Sequence, residues 1–274
     1  MKKFITRTLS GAVYVALIVA ALYLGRWTNN KHLGLFANEI FFLLLTVVGI
    51  YEVYHNLAIK DIPTNRPWGY AMGILIFTVL HQGSSFLIPL LAFGILTIVQ
   101  LFRHEEHPFE TIGYTFLPVF WVAVPLSLIP MYLYEGKESL VMLLFILIWV
   151  NDSFAYMTGM ALGRHKMTRH SPGKTWEGTV GGALFCVAAA VLLGGMVTGE
   201  TSANHWFYLC LGFIVTIFGT LGDLVESMFK RYVGVKDSGN LIPGHGGLLD
   251  RFDSLLMVLP FATAFVSAYM MAID

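Results

Sequence analysis

The sequence predicts an all-α integral membrane protein that crosses the bilayer about nine times. Three observations favour this class: the mean hydropathy is +0.69, 56% of the 274 residues are hydrophobic, and only 12% are charged. Apolar stretches recur along the whole chain, and each is close to the roughly 20 residues that a helix needs to cross a bilayer. We therefore expect lipid to surround most of the chain.

Nine uncharged or nearly uncharged stretches are the candidate spans. The first follows a basic start, as in a secretory signal peptide, but no clear small-x-small cleavage site follows it, so we expect a retained span. The second contains Glu39 and Glu52, which we expect to be structural or interfacial rather than catalytic. The third and fourth are joined only by HQGSS, which predicts a hairpin. The candidate spans are 8–25, 35–57, 67–81, 86–102, 111–134, 139–160, 178–199, 204–226 and 253–272.

Lysine and arginine are unevenly divided between the two sides that nine spans define. The side of the N-terminus carries 14 of them and the other side carries 3. Because basic residues are enriched in cytoplasmic loops, we expect the N-terminus in the cytoplasm and the chain in the cell's inner membrane. The totals of 17 basic and 17 acidic residues argue against a nucleic-acid partner.

The character of the connections changes near residue 139, after which they become long, polar and rich in glycine, histidine and lysine. We therefore predict two regions. Residues 1–138 form a transmembrane scaffold with possible oligomer contacts, and residues 139–274 form a catalytic region with loops at 163–178 and 227–253. Cys186 and Cys210 lie inside apolar runs, which predicts simple packing and neither a disulfide nor a zinc site.

Acidic residues lie at the cytoplasmic ends of three predicted spans. Asp152 ends the apolar part of the sixth span, Asp223 ends that of the eighth, and Asp250 and Asp253 begin the ninth. An acid within a span costs on the order of 3 kcal/mol unless it is paired, hydrated or bound to metal, so these positions predict a shared polar cavity. Helical spacing also places three further polar residues on the face of Asp223, namely Glu226, Ser227 and Lys230.

Two of these acids have plausible structural roles. Asp250 is also suited to capping the ninth helix, with Asp253 completing a pair that resembles a capping box. Asp152, beside Asn151, is also suited to a polar clasp between helices. Both alternatives stay open, but Asp223 and Asp250 are favoured for function by two neighbouring basic, glycine-rich loops.

The first of these loops, GRHKMTRHSPGKTWEG at 163–178, carries four basic residues, and the second, KRYVGVKDSGNLIPGHGG at 230–247, carries three. Glycine lets backbone N–H groups approach an anion, and lysine or arginine neutralises it, so this mixture suits a polyphosphate. The alternative for Arg164, Lys166 and Arg169 is an anchor on lipid headgroups.

The letters GKT at 173–175 do not make a phosphate-binding P-loop. Thr168 stands where that motif requires glycine, and a membrane helix precedes it where the motif requires a strand. We expect Lys174 to reach a phosphate directly, with three polar residues in support, Ser171, Thr175 and Glu177.

No motif offers a catalytic nucleophile or a zinc site. Acids beside phosphate-binding loops instead indicate metal-assisted phosphoryl or nucleotidyl transfer, in which one substrate attacks the other. An ion-coupled transporter is the alternative outside enzymes, since intramembrane acids and glycine-broken helices also build transport sites. Transport sites usually lie near the midplane, whereas these acids are predicted at one face.

The stretch SMFKRYVGVKDSGNLIPGHGGLLDRFD, residues 227–253, resembles the signature of the phosphatidate cytidylyltransferase (CDP-diacylglycerol synthase) family. Its pattern is Ser-x-apolar-Lys-Arg, then Lys-Asp, then His-Gly-Gly and Asp-Arg-x-Asp. The stretch NDSFAYMTGMALGRHKMTRHSPGKTWEG is similar to a second stretch of that family. Gly173 departs from the pattern, which has a larger, often basic residue there. The resemblance rests on motifs in the C-terminal half and on hydropathy alone in the N-terminal half.

The resemblance implies that CTP and phosphatidate react, with Mg²⁺ and a possible second cation, to give CDP-diacylglycerol and pyrophosphate at the cytoplasmic face. It also implies a homodimer among membrane lipids. The nearest alternative among enzymes is a CTP-dependent lipid kinase, which transfers the γ-phosphate instead.

Site roles follow from the family motif together with position. We expect Asp223 and Asp250 to bind Mg²⁺, with further candidate ligands in Glu226, Asp253 and Asp152. The candidate catalytic residues are Asp223, Asp250, Lys174, Asp237 and His245. Ser227 is equally suited to helix packing. The candidate substrate-binding residues are Ser171, Lys174, Ser227, Lys230, Arg231, Lys236, Gly246, Gly247 and Arg251.

Overall fold

A computed structural model describes residues 2–81, 87–103, 106–199, 204–239, 241 and 246–273. Within these ranges the chain is helical and contains no strand, which confirms the all-α class. The helices are α1 (Lys2–Trp27), α2 (Lys31–Ile59), α3 (Arg66–His81), α4 (Leu87–Leu101), α5 (Pro108–Pro118), α6 (Val124–Tyr134), α7 (Glu138–Leu162), α8 (Trp176–Thr198), α9 (His205–Val233) and α10 (Leu249–Ile273).

Seven helical segments among the described residues are long and apolar enough to cross a membrane. They fall on seven of the nine predicted spans, and the chain is a polytopic membrane protein. The other two predicted spans correspond to α3 and α4, which have 16 and 15 residues and are shorter than a full crossing. The count of nine crossings therefore stays a prediction, and the HQGSS connection lies outside the described residues.

One of the seven segments, Pro108–Tyr134, is a helix with a wider turn in its middle. Five residues, Val119–Ala123, form a π-helical turn between α5 and α6, and the N–H of Val124 bonds to the carbonyl of Val119. Pro125 follows directly. Because proline has no N–H, the carbonyl of Trp121 loses the donor that an α-helix would supply, and the wider turn accommodates that loss.

The chain divides into two compact units, of which the first comprises residues 1–135 and 232–251. Its helices α1 and α2 approach closely, since a Cβ on Gly25 would lie 3.2 Å from the Cα of Gly34. The hydroxyl of Tyr54 on α2 donates to the carbonyl of Thr115 on α5 over 2.6 Å. An apolar cluster from α3 to the π turn completes this core, with Met72, Ile76, Leu96, Phe116 and Val119.

The second unit comprises residues 136–231 and 252–274. Glycines let α7 and α8 pack almost backbone to backbone: a Cβ on Gly178 would lie 2.7 Å from the carbonyl oxygen of Ala155. Aromatic pairs join α9 to α10, and the rings of Phe218 and Phe261 stack 3.5 Å apart. This unit holds most of the predicted catalytic region, but residues 232–251 belong to the first. The assignment of scaffold and catalytic roles stays a prediction.

Two helix boundaries differ from the predicted ones and matter for the site. Helix α9 continues to Val233, past the predicted end at 226, and α10 begins at Leu249, before the predicted start at 253. Ser227, Lys230 and Arg231 are therefore helical. The helical spacing from Asp223 predicted this for Ser227 and Lys230, although the predicted loop of 227–253 included all three. Charged residues do not end this helix because Glu226 and Lys230, one turn apart, form an ion pair of 2.6 Å.

Candidate functional site

A cluster of three carboxylates lies where α9 and α10 pack together in the second unit. Asp223 and Glu226 come from α9 and Asp253 from α10, and one carboxylate oxygen of each lies within 4.8 Å of the others. The spacing of three residues on α9 puts both of its acids on one face. We call Asp223, Glu226 and Asp253 the acidic cluster.

A glycine on α9 permits this close approach. A Cβ on Gly222 would lie 2.5 Å from the backbone oxygen of Asp253 and 3.0 Å from the Cα of Ser254. No other residue type fits without separating the helices. Gly222 therefore lets the backbone of α10 approach α9 directly beside Asp223.

We expect Gly222→Ala to lower the melting temperature of the purified protein in detergent. Overpacking typically costs about 1–3 kcal/mol, and each kcal/mol corresponds to roughly 2–4 °C in a chain of this size. Gly219→Ala, one turn earlier, is the matched control, because its nearest neighbours would lie 3.6 and 3.8 Å away. Equal melting temperatures for the two variants would contradict the close packing at Gly222.

Two lysines neutralise part of the acidic cluster. The ammonium of Lys174 pairs with Asp223, and that of Lys230 lies 2.6 Å from Oε2 of Glu226. The side chain of Glu226 is only 1% exposed, whereas those of Lys174 and Asp223 are about a quarter exposed. When all three carboxyl groups are ionised, three carboxylates and two ammonium groups leave a net negative charge, so the cluster is suited to a cation.

The loop before α8 presents Lys174 on a braced backbone. Lys166 and Thr175 form a short antiparallel bridge, and the N–H of Met167 donates to the carbonyl of Lys174 over 2.9 Å. The N–H of Lys174 donates to the carbonyl of Ser171 over 3.1 Å. Since both peptide groups of Lys174 are bonded, its side chain starts from a fixed position.

Further contacts support this loop from both ends. The carboxylate of Glu177 accepts the N–H groups of Arg164 and His165, and the hydroxyl of Thr175 caps α8 by accepting the N–H of Gly178 over 3.1 Å. From α9, Nε of Arg231 donates to the carbonyl of His170 over 3.4 Å. Thr175 and Glu177 thus brace the loop, and their support of a phosphate contact by Lys174 stays a prediction.

The donor set of the acidic cluster fits a hard divalent cation. Mg²⁺ prefers oxygen ligands and usually takes one or two carboxylates while it keeps several waters. Asp152, another predicted ligand, is exposed on α7 and lies outside the acidic cluster. Ser227, on the same helix as Asp223, is buried.

The predicted ligand Asp250 belongs to the first unit, where its carboxylate organises a loop. Its Oδ2 accepts the N–H of Gly247 over 2.8 Å, and the N–H and hydroxyl of Ser238 over 2.9 and 3.0 Å. Gly246 has a φ of +88°, which favours glycine, and a Cβ there would lie 2.6 Å from Oδ2 of Asp250. The two glycines of the His-Gly-Gly motif therefore allow the backbone to wrap around this carboxylate.

The structure describes some, but not all, of the other predicted site residues in this segment. Lys236, Asp237 and Arg251 are exposed, and His245 lies outside the described residues. The predicted metal-binding role of Asp250 stays a prediction.

Sequence reasoning assigned no site role to Glu52, although the structure places it against the same loop. Its carboxylate accepts the N–H groups of Leu248 and Leu249 over 2.7 and 2.9 Å. The only sequence feature that pointed to Glu52 was its position as an acid inside an apolar stretch. The partners lie almost 200 residues away, and no local pattern predicts such a pairing.

Comparison with known proteins agrees with the resemblance found in the motifs. Residues 5–269 match the model of a family described as the cytidylyltransferase family. A phosphatidate cytidylyltransferase of Staphylococcus haemolyticus is 32% identical over 265 residues, which cover 93% of this chain and 95% of the relative.

Two further relatives carry the same name. A protein of Staphylococcus saprophyticus is 35% identical over 201 residues, covering 69% of this chain and 75% of its own length. One of Staphylococcus aureus is 46% identical over 134 residues, which cover 47% of this chain and 51% of the relative. The family resemblance predicted from the two motifs is confirmed.

Proposed function

The chain belongs to the cytidylyltransferase family, and on that premise we propose that it transfers the cytidylyl group of CTP to phosphatidate. The products are CDP-diacylglycerol and pyrophosphate. The chain is a nucleotidyltransferase, and the single observation that carries its specific reaction is the likeness to a phosphatidate cytidylyltransferase over 93% of the chain. The long apolar helices support a substrate that enters from the bilayer.

The proposed reaction is a direct displacement between two phosphates. A phosphate oxygen of phosphatidate forms a bond to the α-phosphorus of CTP, the bond from that phosphorus to the oxygen bridging to the β-phosphorus breaks, and pyrophosphate leaves with the electron pair. A phosphate monoester is largely ionised at pH 7, because its second ionisation occurs at about pH 6. The attacking oxygen therefore needs no dedicated general base, and alignment and neutralisation of charge carry the rate.

We propose that the acidic cluster holds the cation that this reaction uses. Asp223, Glu226 and Asp253 supply the oxygen donors, and bound Mg²⁺ would neutralise charge on the phosphate oxygens. Lys174, whose ammonium pairs with Asp223, would contact a phosphate oxygen of the substrate. A second cation and the role of Asp250 as a ligand remain predictions.

Basic residues near the cluster and on the following segment complete the proposal. Lys230 and Arg231 on the last turns of α9, with Lys236 beyond it, would bind the triphosphate and the phosphatidate headgroup. The excess of basic residues on one side favours the cytoplasmic face of the inner membrane. Such a face has direct access to CTP, and the homodimer remains an expectation.

The test is an assay of the purified full chain in detergent with phosphatidate, Mg²⁺ and CTP labelled at its α-phosphorus. We expect labelled lipid and one pyrophosphate for each lipid formed, and no labelled lipid when diacylglycerol replaces phosphatidate. Release of CDP with transfer of the γ-phosphate to lipid would identify a lipid kinase and overturn the proposal. Ion flux through liposomes without either substrate would instead identify a transporter.

A further inference from the structure

Glu52 is a buried acid near the end of a long apolar helix, α2, and its side chain is shielded from solvent. Only 3% of the residue is exposed. Burying a carboxylate in an apolar setting is costly unless hydrogen bonds or opposite charge compensate it. The hydrogen-bond partners of Glu52 therefore indicate which part of the structure its buried charge stabilises.

Both oxygens of Glu52 accept backbone N–H groups at the start of α10. Oε1 accepts the N–H of Leu248 over 2.7 Å, and Oε2 accepts the N–H of Leu249 over 2.9 Å. The first N–H groups of a helix have no partner within the helix, and the positive end of its dipole favours an anion. Glu52 thus caps α10 from a helix that is distant in sequence.

The same carboxylate reaches Asp250 through one side chain. The hydroxyl of Ser238 lies 3.2 Å from Oε2 of Glu52 and 3.0 Å from Oδ2 of Asp250. Ser238 is itself fixed, because Asn56, one turn along α2, donates to its carbonyl over 2.7 Å. Gly239 and Gly247 pack directly against Glu52, so the carboxylate leaves little space for the loop to move.

We propose that Glu52 is a positioning residue for Asp250, acting through Ser238 and the first turn of α10. This inference rests on the proposed function and on the prediction that Asp250 binds Mg²⁺. In this role Glu52, which is buried, acts through other residues and not by contact with a substrate. It fixes the backbone on both sides of the Asp250 carboxylate, so that Asp250 has one orientation before the cation arrives.

A role limited to folding would have different consequences. A cap that only stabilises the chain would, when weakened, reduce the amount of folded protein and leave the affinity of the folded fraction for a cation unchanged. A positioning residue alters that affinity in protein that is fully folded. Changes in residues that hold metal ligands in place typically cost about 10–100-fold in metal affinity or activity.

The experiment compares Glu52→Gln with wild type in the full chain purified in detergent. The amide keeps one acceptor oxygen and turns an NH₂ group toward a backbone N–H, so Leu248 or Leu249 loses its acceptor. We expect faster hydrogen exchange at these two amides in cation-free protein. We also expect Mn²⁺ binding without CTP, followed by electron paramagnetic resonance, to weaken about 10–100-fold, and half-saturating Mg²⁺ in the transfer assay to rise by a similar factor.

Two further variants keep the test decisive. Ser238→Ala keeps the two bonds from Glu52 to α10 but removes the hydroxyl between the carboxylates, so it should weaken Mn²⁺ binding by itself. Combined with Glu52→Gln, it should add little, because both act on one contact. Glu52→Asp retains the charge and should recover part of the affinity.

Glu39→Gln is the matched control on the same helix. Its carboxylate accepts the hydroxyl of Tyr134, away from this loop, and we expect wild-type affinity for Mn²⁺. Wild-type Mn²⁺ binding in folded Glu52→Gln would overturn the inference. If both Glu52 variants fail to fold, the result for Ser238→Ala decides, and unchanged Mn²⁺ binding in that variant would also overturn the inference. An inactive wild-type protein would instead refute the proposed function, and the Mn²⁺ and exchange measurements do not depend on that activity.

Discussion

Asp223→Asn should reduce cytidylyl transfer by at least about 100-fold, beyond the loss expected for residues that only hold a metal ligand in place. Asp223 contributes an oxygen to the acidic cluster and pairs with the ammonium of Lys174. The amide keeps the size of the side chain but removes its charge. One substitution should therefore weaken the proposed cation site and release the lysine that we propose meets a phosphate.

A Mg²⁺ titration of the transfer rate separates these two effects. If Asp223 binds the cation, its variant should need more Mg²⁺ for half-maximal rate, and excess Mg²⁺ should restore part of the activity. If Asp223 only holds Lys174, the transfer rate of the double variant Asp223→Asn, Lys174→Met should be no lower than that of the slower single variant. The Mg²⁺ concentration for half-maximal rate should then be unchanged. Asp250→Asn, measured in parallel, tests the second predicted ligand.

The control for this series is Asp61→Asn, at an exposed position just after α2. Asp61 has a φ of +53°, which asparagine tolerates as well as aspartate, so backbone strain does not change. We expect it to match wild type. Wild-type rates at limiting Mg²⁺ for Asp223→Asn would show that the cation is not bound there.

Hydropathy predicted most of the fold because the bilayer restricts which structures are possible. A backbone in lipid must satisfy its own hydrogen bonds, so a long apolar stretch is nearly bound to be a helix. Helix ends were less predictable. α9 extends past Glu226 because that acid is compensated by Lys230 one turn later, and charge alone does not end a helix.

The site was predictable where its residues share a helix and less so where they come from different helices. The spacing of Asp223 and Glu226 predicted a common face. The membership of Asp253 depends on Gly222, where the absence of a side chain lets α10 approach. The contacts of Glu52 depend on tertiary packing between segments almost 200 residues apart, which periodicity does not report.

Asp253→Asn should make the cation-free protein more stable and at the same time reduce transfer by about 100-fold, the upper range for disturbed metal sites. Asp253 shares the cluster with Asp223 and Glu226, whose charges are already paired with lysines. When all three carboxyl groups are ionised and no cation is bound, the charge of Asp253 is therefore the costly one, because like charges at this distance repel. The amide oxygen retains the bond that Oδ1 accepts from the N–H of Ser254 over 2.7 Å.

The order of stabilities should reverse when Mg²⁺ is added. A ligand at 100 times its dissociation constant stabilises the folded state by about 2.7 kcal/mol. Wild type should gain this stabilisation, and Asp253→Asn should gain much less. Thermal unfolding in detergent is measured once with EDTA and once with saturating Mg²⁺, so that the cation-free and cation-bound proteins are compared. Asp61→Asn is the control and should follow wild type in both conditions.

A lower melting temperature for Asp253→Asn in EDTA would contradict the repulsion on which this prediction depends, because the substitution would then have removed a favourable contact. The reversal itself separates a cation site, whose acids are destabilising until filled, from a set of acids already balanced by the protein.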